Sequence, residues 1–255
     1  DHRDLHKEYR RQRQMCIRDS FKASNSNDLP FSFNEEVTEV FEDMIDRSVP
    51  GYKSSLKLIE NLGKNYYQNN SSCYDLGCSL GASTLSLLKA VEEKDGQIYA
   101  VDNSKAMISN CNSKFKNLTD SNKLDFINQD LEDVEIKDAS VVVINFVLQF
   151  IDSSKREGLL ERVFCGMKKN GLLILSEKTH FDNKYRNQAL FNLHHSFKFK
   201  NGYTKMEISR KRDALEGVLI TDLEKDHRQR LIKIGFREIR KVMSNLNFFT
   251  LIAQK

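Results

Sequence analysis

Between positions 33 and 48 the apolar residues Val37, Val40, Phe41, Met44 and Ile45 recur at intervals of three and four. That is the period of one helical face, and it predicts a helix. "VPGY" ends it, because Pro50 and Gly51 together specify a turn, and a second helix is expected over 53–62 ahead of the polar "QNNSS". Short apolar runs then alternate with helical patterns. Strands are predicted at Ser72–Leu76, Gln97–Asp102, Leu124–Asn128, 140–146 and 171–177, with helices near Ala82–Val91, Lys105–Lys114 and 153–167. "KKNG" before the fifth strand reads as a turn, with Gly171 supplying the flexible backbone. Alternation of this kind implies right-handed crossovers and an α/β fold, a doubly wound parallel sheet with helices on both faces.

The pattern changes after the fifth strand. From 179 to about 222 it is mostly helical, without a clear strand. A helix in "LEKDHRQRLIKIGF" and two strands, 237–243 and 247–253, complete the chain. The link "SNLN" is short enough for a hairpin, so one of those strands runs antiparallel to its neighbour.

At 255 residues the chain is long enough for one sizeable α/β domain with additions. Its net charge of +4 does not demand nucleic acid as a partner. Five cysteines, odd in number and without C-x-x-C spacing, argue against a disulfide framework or a zinc site and for a reducing cytoplasm. The longest apolar run, "VVVINFVLQFI", is too short to span a bilayer and carries Asn145 and Gln149. Residues 1–20 are crowded with charge, and "RQRQMCIRDS" resembles a translated adapter fragment. They are expected to be a non-native leader rather than a basic nucleic-acid-binding arm, and they are set aside from fold reasoning. The expected organisation is therefore a leader over 1–20, a helical cap over 21–70, and a ligand-binding domain over 71–255 with a helical insertion at about 179–222.

The chemistry gathers where the predicted strands end. In "YDLGCSLGASTLSLL" a buried strand runs into a helix through a loop in which Gly77 and Gly81 allow sharp turns and close ligand approach. The helix beyond presents free N–H groups and a positive dipole end. The spacing is not that of a dinucleotide loop, since Ser79 and Ala82 stand where G-x-G-x-x-G has its later glycines. The Walker lysine is missing as well. In a doubly wound sheet, ligands sit outside the carboxyl ends of the strands. There the sequence places Asp75 with Gly77, Cys78 and Ser79, then Asp102 with Asn103, Asp130 with Leu131, and Asn145. Asp102 is suited to two ribose hydroxyls, against the alternative of a helix cap. Asp130 suits an adenine amino group or, on position alone, a solvated loop. Three carboxylates, expected to have no lysine or arginine nearby, suit a neutral or cationic adenosine compound better than a polyphosphate. S-adenosylmethionine is such a compound.

This ordered set resembles the class I S-adenosylmethionine-dependent methyltransferase fold, which implies a mostly parallel, seven-stranded Rossmann-like sheet with an antiparallel last strand. The segments "FNEEVTEVFEDMIDRSVPGY", "VDNSKAMI", "VVINFVLQFI", "LSEK", "LFNLHHSFK" and "NGYTKMEISRKRDALEGVLITD" are more specific. With the glycine loop they resemble the carboxy-S-adenosyl-L-methionine synthase family, from about position 31 to the C-terminus. The departures are small: Asn34 stands where that family usually has an acid, and Arg210 where a glutamine is common.

The resemblance implies an enzyme that converts S-adenosyl-L-methionine, as substrate, and prephenate to carboxy-S-adenosyl-L-methionine and phenylpyruvate. It also implies no metal, a cytoplasmic homodimer, and no direct contact with nucleic acid or membrane. The product would pass to a tRNA carboxymethyltransferase that modifies a wobble uridine. Carried onto matching positions, the implied ligand contacts are Tyr52, Gly77, Cys78, Ser79, Asp102, Asn103, Asp130, Leu131 and Asn145. Arg212 is the implied catalytic group, its guanidinium gripping the new carboxylate in bidentate fashion. Read from the residues alone, "RKR" is a solvated helix face for Arg210 and Lys211 and leaves Arg212 open. The competing readings are a methyltransferase acting on tRNA or a small molecule, and a non-catalytic adenosine-ligand module. His194 and His195 do not suggest a metal site, because adjacent helical residues point to different faces. Cys78 lacks a placed base that would make it a nucleophile.

Overall fold

A computed structural model describes residues 33–92, 94–119 and 123–255. The expected leader and the first part of the expected cap, 21–32, lie outside the described residues. Helix α1 (Glu35–Ser48) is started by Asn34, whose side chain accepts the N–H of Val37 at 3.0 Å. An N-cap amide does the work an acid would do there, so that departure from the family pattern costs the helix nothing. Gly51, in the left-handed region, turns the chain into α2 (Tyr52–Tyr66), which runs a full turn beyond the predicted 53–62. Strands β1 (Ser72–Leu76), β2 (Gln97–Asp102), β3 (Leu124–Asn128) and β4 (Ala139–Asn145) alternate with α3 (Ala82–Val91), α4 (Lys105–Lys114) and the short α5 (Lys116–Thr119). A 3-10 turn (Leu148–Phe150) and α6 (Arg156–Gly166) lead into β5 (Met167–His180). Helices α7 (Lys184–Lys200) and α8 (Lys205–Leu215) follow, then β6 (Asp222–Leu223), α9 (Glu224–Ile234), β7 (Arg237–Asn245) and β8 (Phe248–Gln254).

The sheet has the order β3-β2-β1-β4-β5-β8-β7, with the two-residue β6 paired to the end of β5. β8 is antiparallel to both β5 and β7, and the other pairings are parallel. The expected sheet of seven strands with one antiparallel member is present, and β6 is an eighth strand within the stretch read as helical. A second correction concerns "KKNG", which makes no turn. The pairing of β5 with β4 passes from Ala139↔Met167 to Val141↔Leu172, so these residues form a bulge inside one long strand. Asn170, at φ 62°, occupies the left-handed position there, and its N–H donates to the carbonyl of Lys255 at 3.0 Å. The bulge re-pairs the polar backbone groups that a turn would have sent to solvent.

Alternate residues of the central strands enter two apolar layers. Leu76, Val142, Ile144, Leu173 and Leu175 pack with α6 and α9, while Cys73, Val141, Val143, Leu172 and Ile174 pack with α2 and α3. Burial on both faces is why "VVVI" reads as an unbroken apolar run instead of an alternating one. Helix α1 joins neither layer. Its Phe41 and Met44 cluster with Leu80 and Met107, laying the helix across the carboxyl ends of the strands.

Candidate functional site

The strand order reverses between β1 and β4, which pair directly. A cavity of about 1310 Å³ opens at their carboxyl ends, and α1, α7, α8 and the 3-10 turn complete its walls. Ligand pockets commonly measure about 300–1,000 Å³. The space exceeds what one adenosine ligand needs. The cavity is lined by nine of the ten residues that the family resemblance implies for the site: Tyr52, Gly77, Cys78, Ser79, Asp102, Asn103, Asp130, Leu131 and Asn145. The tenth is not among its lining residues. Arg212 lies on the exposed side of α8, its Nη2 2.9 Å from Asp213 Oδ1.

Gly77 continues β1 at φ 81°, and a Cβ there would come within 2.5 Å of Val147 Cγ2. Only glycine lets this loop lie against the chain leaving β4. Ser79, at φ 47°, turns its N–H back onto Asp102 Oδ2 at 2.9 Å, and Asp102 Oδ1 accepts the N–H of Ser104 at 2.9 Å. Burial raises the Asp102 carboxyl above its usual range, and these two backbone donors oppose the rise. Each oxygen keeps an acceptor direction for a ligand hydroxyl. Asn103 Nδ2 donates to Asp130 Oδ1 at 2.8 Å, so two of the candidate residues fix each other at the exposed rim.

Asn145 donates to Ser83 Oγ at 3.1 Å, while its own Oδ1 is buried without a partner. A buried lone acceptor in a cavity wall calls for a donor on the ligand. Asp75 is buried beside the cavity rather than in its wall. Its Oδ2 accepts from Thr84 Oγ1 at 2.6 Å, its Oδ1 has no partner, and burial lifts its carboxyl to about 7. It is therefore only partly ionised near neutral pH, and the three-carboxylate charge reading is weakened at Asp75. Tyr52 is held un-ionised, first by burial and then by Asp75, Glu42 and Asp46. Cys78 is buried, and its thiol is pushed well up by a hydrogen bond with Cys111, by burial and by the nearby carboxylates. A thiolate nucleophile is disfavoured there.

The expectation that no cation stands nearby is wrong in three dimensions. Six lysines line the cavity: Lys53, Lys114 and Lys155 pair with Asp46, Glu42 and Glu132, while Lys178 from β5, Lys198 from α7 and Lys211 from α8 make no ion pair among the described residues. Lys211 is buried and its Nζ donates to Ser48 Oγ at 2.8 Å, so the residue read as a surface charge faces inward and Arg212 faces outward. His194 is buried too, with Nε2 2.7 Å from the carbonyl of Ser48. Burial and the neighbouring lysines drop its pKa to about 3, so it stays neutral and donates to that carbonyl. A run of rings connects Tyr52 with His194: Tyr52 lies 6.4 Å from Phe146, Phe146 5.8 Å from Phe248, and Phe248 5.2 Å from His194.

Glu177 was not singled out in the sequence. Fully buried, it accepts the N–H groups of Val147 at 3.1 Å, Leu148 at 2.7 Å and Gln149 at 3.2 Å. It thereby shapes the 3-10 turn that forms one wall. The signal available for it was an acid inside the apolar fifth strand. Among the described residues no group of His, Cys, Asp and Glu is arranged to hold a metal, and no helix is long and apolar enough to cross a membrane.

Residues 74–171 match the family model described as a methyltransferase domain. In fold, the chain is similar to an O-methyltransferase family protein from Burkholderia thailandensis, at TM-score 0.64 and 14% identity, covering 96% of this chain and 70% of that one. It is also similar to human N-acetylserotonin methyltransferase in complex with S-adenosylmethionine, at TM-score 0.58 and 15% identity over 87% and 55% of the two chains. Identities this low speak for the fold alone. In sequence, it is 44% identical to the carboxy-S-adenosyl-L-methionine synthase of Vibrio campbellii over 225 residues, 88% of this chain and 92% of that protein. The chain belongs to the carboxy-S-adenosyl-L-methionine synthase family.

Proposed function

We propose that the protein converts S-adenosyl-L-methionine and prephenate to carboxy-S-adenosyl-L-methionine and phenylpyruvate. The observation that carries this reading is one cavity lined by two sets of residues, the adenosine-suited Asp102, Asp130 and Asn145 and the unpaired Lys178, Lys198 and Lys211. A simple methyl donor site has no need of the second. In the first set, Asp102 would take the ribose hydroxyls, Asp130 the adenine amino group, and the unpartnered Asn145 Oδ1 the substrate's ammonium.

Aromatisation of prephenate releases carbon dioxide and a hydroxide equivalent. That base takes a proton from the sulfonium methyl, giving water and an ylide, and the ylide carbon forms the new bond to carbon dioxide. The protein's part is to hold both reactants together, exclude water and stabilise carboxylates. No protein base is required, in keeping with a neutral His194 and an un-ionised Tyr52 at the site.

Arg212 is assigned the grip on the new carboxylate. Since it faces outward here, that role falls to Arg212 of a second copy, and the proposed assembly is a homodimer. The exposed Tyr185, Leu193, Phe199 and Met206 on the same two helices support it. The reaction is placed in the cytoplasm, with the product passing to a tRNA carboxymethyltransferase. Mass spectrometry of the small molecule released from purified protein, and of the products formed from both substrates, tests the activity. S-adenosylmethionine carrying one added carboxylate is the expected species. Unmodified S-adenosylmethionine together with methylated RNA would mark a methyltransferase instead.

A further inference from the structure

Of the six lysines in the wall of one cavity, Lys53, Lys114 and Lys155 each pair with a carboxylate, whereas the other three pair with none among the described residues. They come from separate elements: Lys178 from the end of β5, Lys198 from α7 one turn beyond His194, and Lys211 from α8. Nothing in local sequence forces them together. The fold brings like charges into a desolvated space, which is costly unless something anionic offsets it. Each is pulled below the usual lysine range, first by burial and, for Lys198 and Lys211, then by the charge of its lysine neighbours. Among the described residues the three ammonium groups make one hydrogen bond to the protein, from Lys211 Nζ to Ser48 Oγ, and Ser48 in turn donates to Tyr203. The ring run from Tyr52 to Phe248 provides an apolar bed in the same cavity.

We propose that Lys178, Lys198 and Lys211 form the subsite that binds the carboxylates of the second substrate, a small unsaturated-ring dicarboxylate lying along Tyr52, Phe146 and Phe248. The assignment rests on the activity proposed above and adds the residues that recognise the co-substrate. Two carboxylates against three lysines discharge the mutual repulsion. The apolar rings accept the body of the molecule. The rest of the cavity volume is left to the adenosine ligand.

The test uses the full chain and the variants Lys178→Met, Lys198→Met and Lys198→Arg, which avoid the Lys211–Ser48 bond that folding itself uses. Prephenate KM and turnover are measured together with S-adenosylmethionine affinity by calorimetry. Each methionine variant is expected to raise prephenate KM roughly tenfold or more, with S-adenosylmethionine affinity within about twofold of the wild type. Lys198→Arg is expected to recover part of the loss. Unchanged prephenate KM in both methionine variants overturns the subsite. Equal losses for both substrates also overturn it, since the lysines would then hold the amino-acid carboxylate of S-adenosylmethionine or the fold. Malonate serves as a probe of the subsite that does not depend on the reaction. If the wild type neither binds nor turns over prephenate, yet malonate raises its melting temperature and the lysine variants abolish that rise, the activity is wrong and the anion subsite stands. No malonate effect in such a protein removes both.

Discussion

The backbone N–H of Ser79 donates to Asp102 Oδ2 at 2.9 Å, tying the glycine loop after β1 to the end of β2. One carboxylate therefore fixes the loop and lines the cavity. Asp102→Ala removes a ligand acceptor and lets Ser79 leave its left-handed conformation, so the loss of affinity should exceed that of one contact. About 1.5–3 kcal/mol is expected for each charge-assisted hydrogen bond to the ribose, with a further loss from the loosened loop. Asp102→Asn, which keeps one acceptor, should retain more. Calorimetry with S-adenosylmethionine checks both, and undiminished affinity in folded Asp102→Ala removes the residue from the site.

A second expectation concerns Gly77. Alanine there is strained twice, by φ 81° and by the 2.5 Å approach of its Cβ to Val147 Cγ2. A loss of roughly 1–3 kcal/mol in stability is expected from the backbone conformation alone. The double variant Gly77→Ala, Val147→Ala relieves the contact and leaves the conformation. It should recover part of the melting temperature and little of the ligand affinity. Full recovery of both would show that the left-handed geometry contributes nothing.

These two residues were legible before any coordinates, because a glycine loop and an acid at a strand end are local signals. The strands were legible for the same reason, since apolar runs of strand length bounded by turn residues fix β1, β2 and β3 to the residue. The unpaired lysines of the cavity were not. Lys178, Lys198 and Lys211 lie on three elements of a segment whose packing is decided by tertiary contacts, and a run such as "RKR" gives no clue to which side chain turns inward. Distance along the chain is a poor guide to charge here, because the fold brings these three lysines from remote positions into the cavity that Asp102 and Asp130 line. "KKNG" misled for a related reason: its composition signals a turn, but the antiparallel neighbour β8 supplied hydrogen-bond partners that kept it in the strand.

The buried acids set a pH dependence. Glu177 is lifted from 4.5 to about 8 by burial, against the three N–H donors and Arg156, and Asp75 from 3.8 to about 7. Each folded-state value lies above the unfolded one, so the folded protein holds extra protons in that interval. The associated stability is present at low pH and is lost as pH rises through the folded values. His194 and His227 act the other way, dropped to about 3 and about 4, and oppose this trend below their usual 6.5. Lys198 and Lys211, held below the usual lysine range, oppose it as well. From about pH 6.5 to 8 the acids' own contribution to unfolding free energy is expected to fall with pH by at most about 1.4 kcal/mol per unit for each titrating group. Urea titrations across the window should show a less negative slope for Glu177→Gln. An identical slope would mean that Glu177 does not titrate there.

Asp222 tests how the cavity wall is braced. Its carboxylate lies 2.8 Å from Nη1 of the fully buried Arg156 and 2.9 Å from Nη2 of Arg230. Arg156 also donates to the carbonyls of Ile151 at 2.9 Å and Ile220 at 2.8 Å, while the Ile220 N–H donates to the carbonyl of Gln149 at 2.8 Å. The segment after α8, whose Val218 and Leu219 line the cavity, is held to the 3-10 turn through this arginine. Asp222→Ala leaves two guanidinium groups without their anion. The cost should be about 3–5 kcal/mol, as for other buried pairs that lose one partner. Replacing two of the three members, Asp222→Leu with Arg156→Met, removes the fully buried guanidinium and leaves only that of Arg230 without its anion, so part of that stability should return. It would not restore the two carbonyl contacts, so the wall should remain loose. Chemical denaturation of the single and double variants measures the first effect, and amide exchange at 218–220 measures the second. Protection at those amides as high in the double variant as in the wild type would mean that the segment is held by its apolar contacts alone.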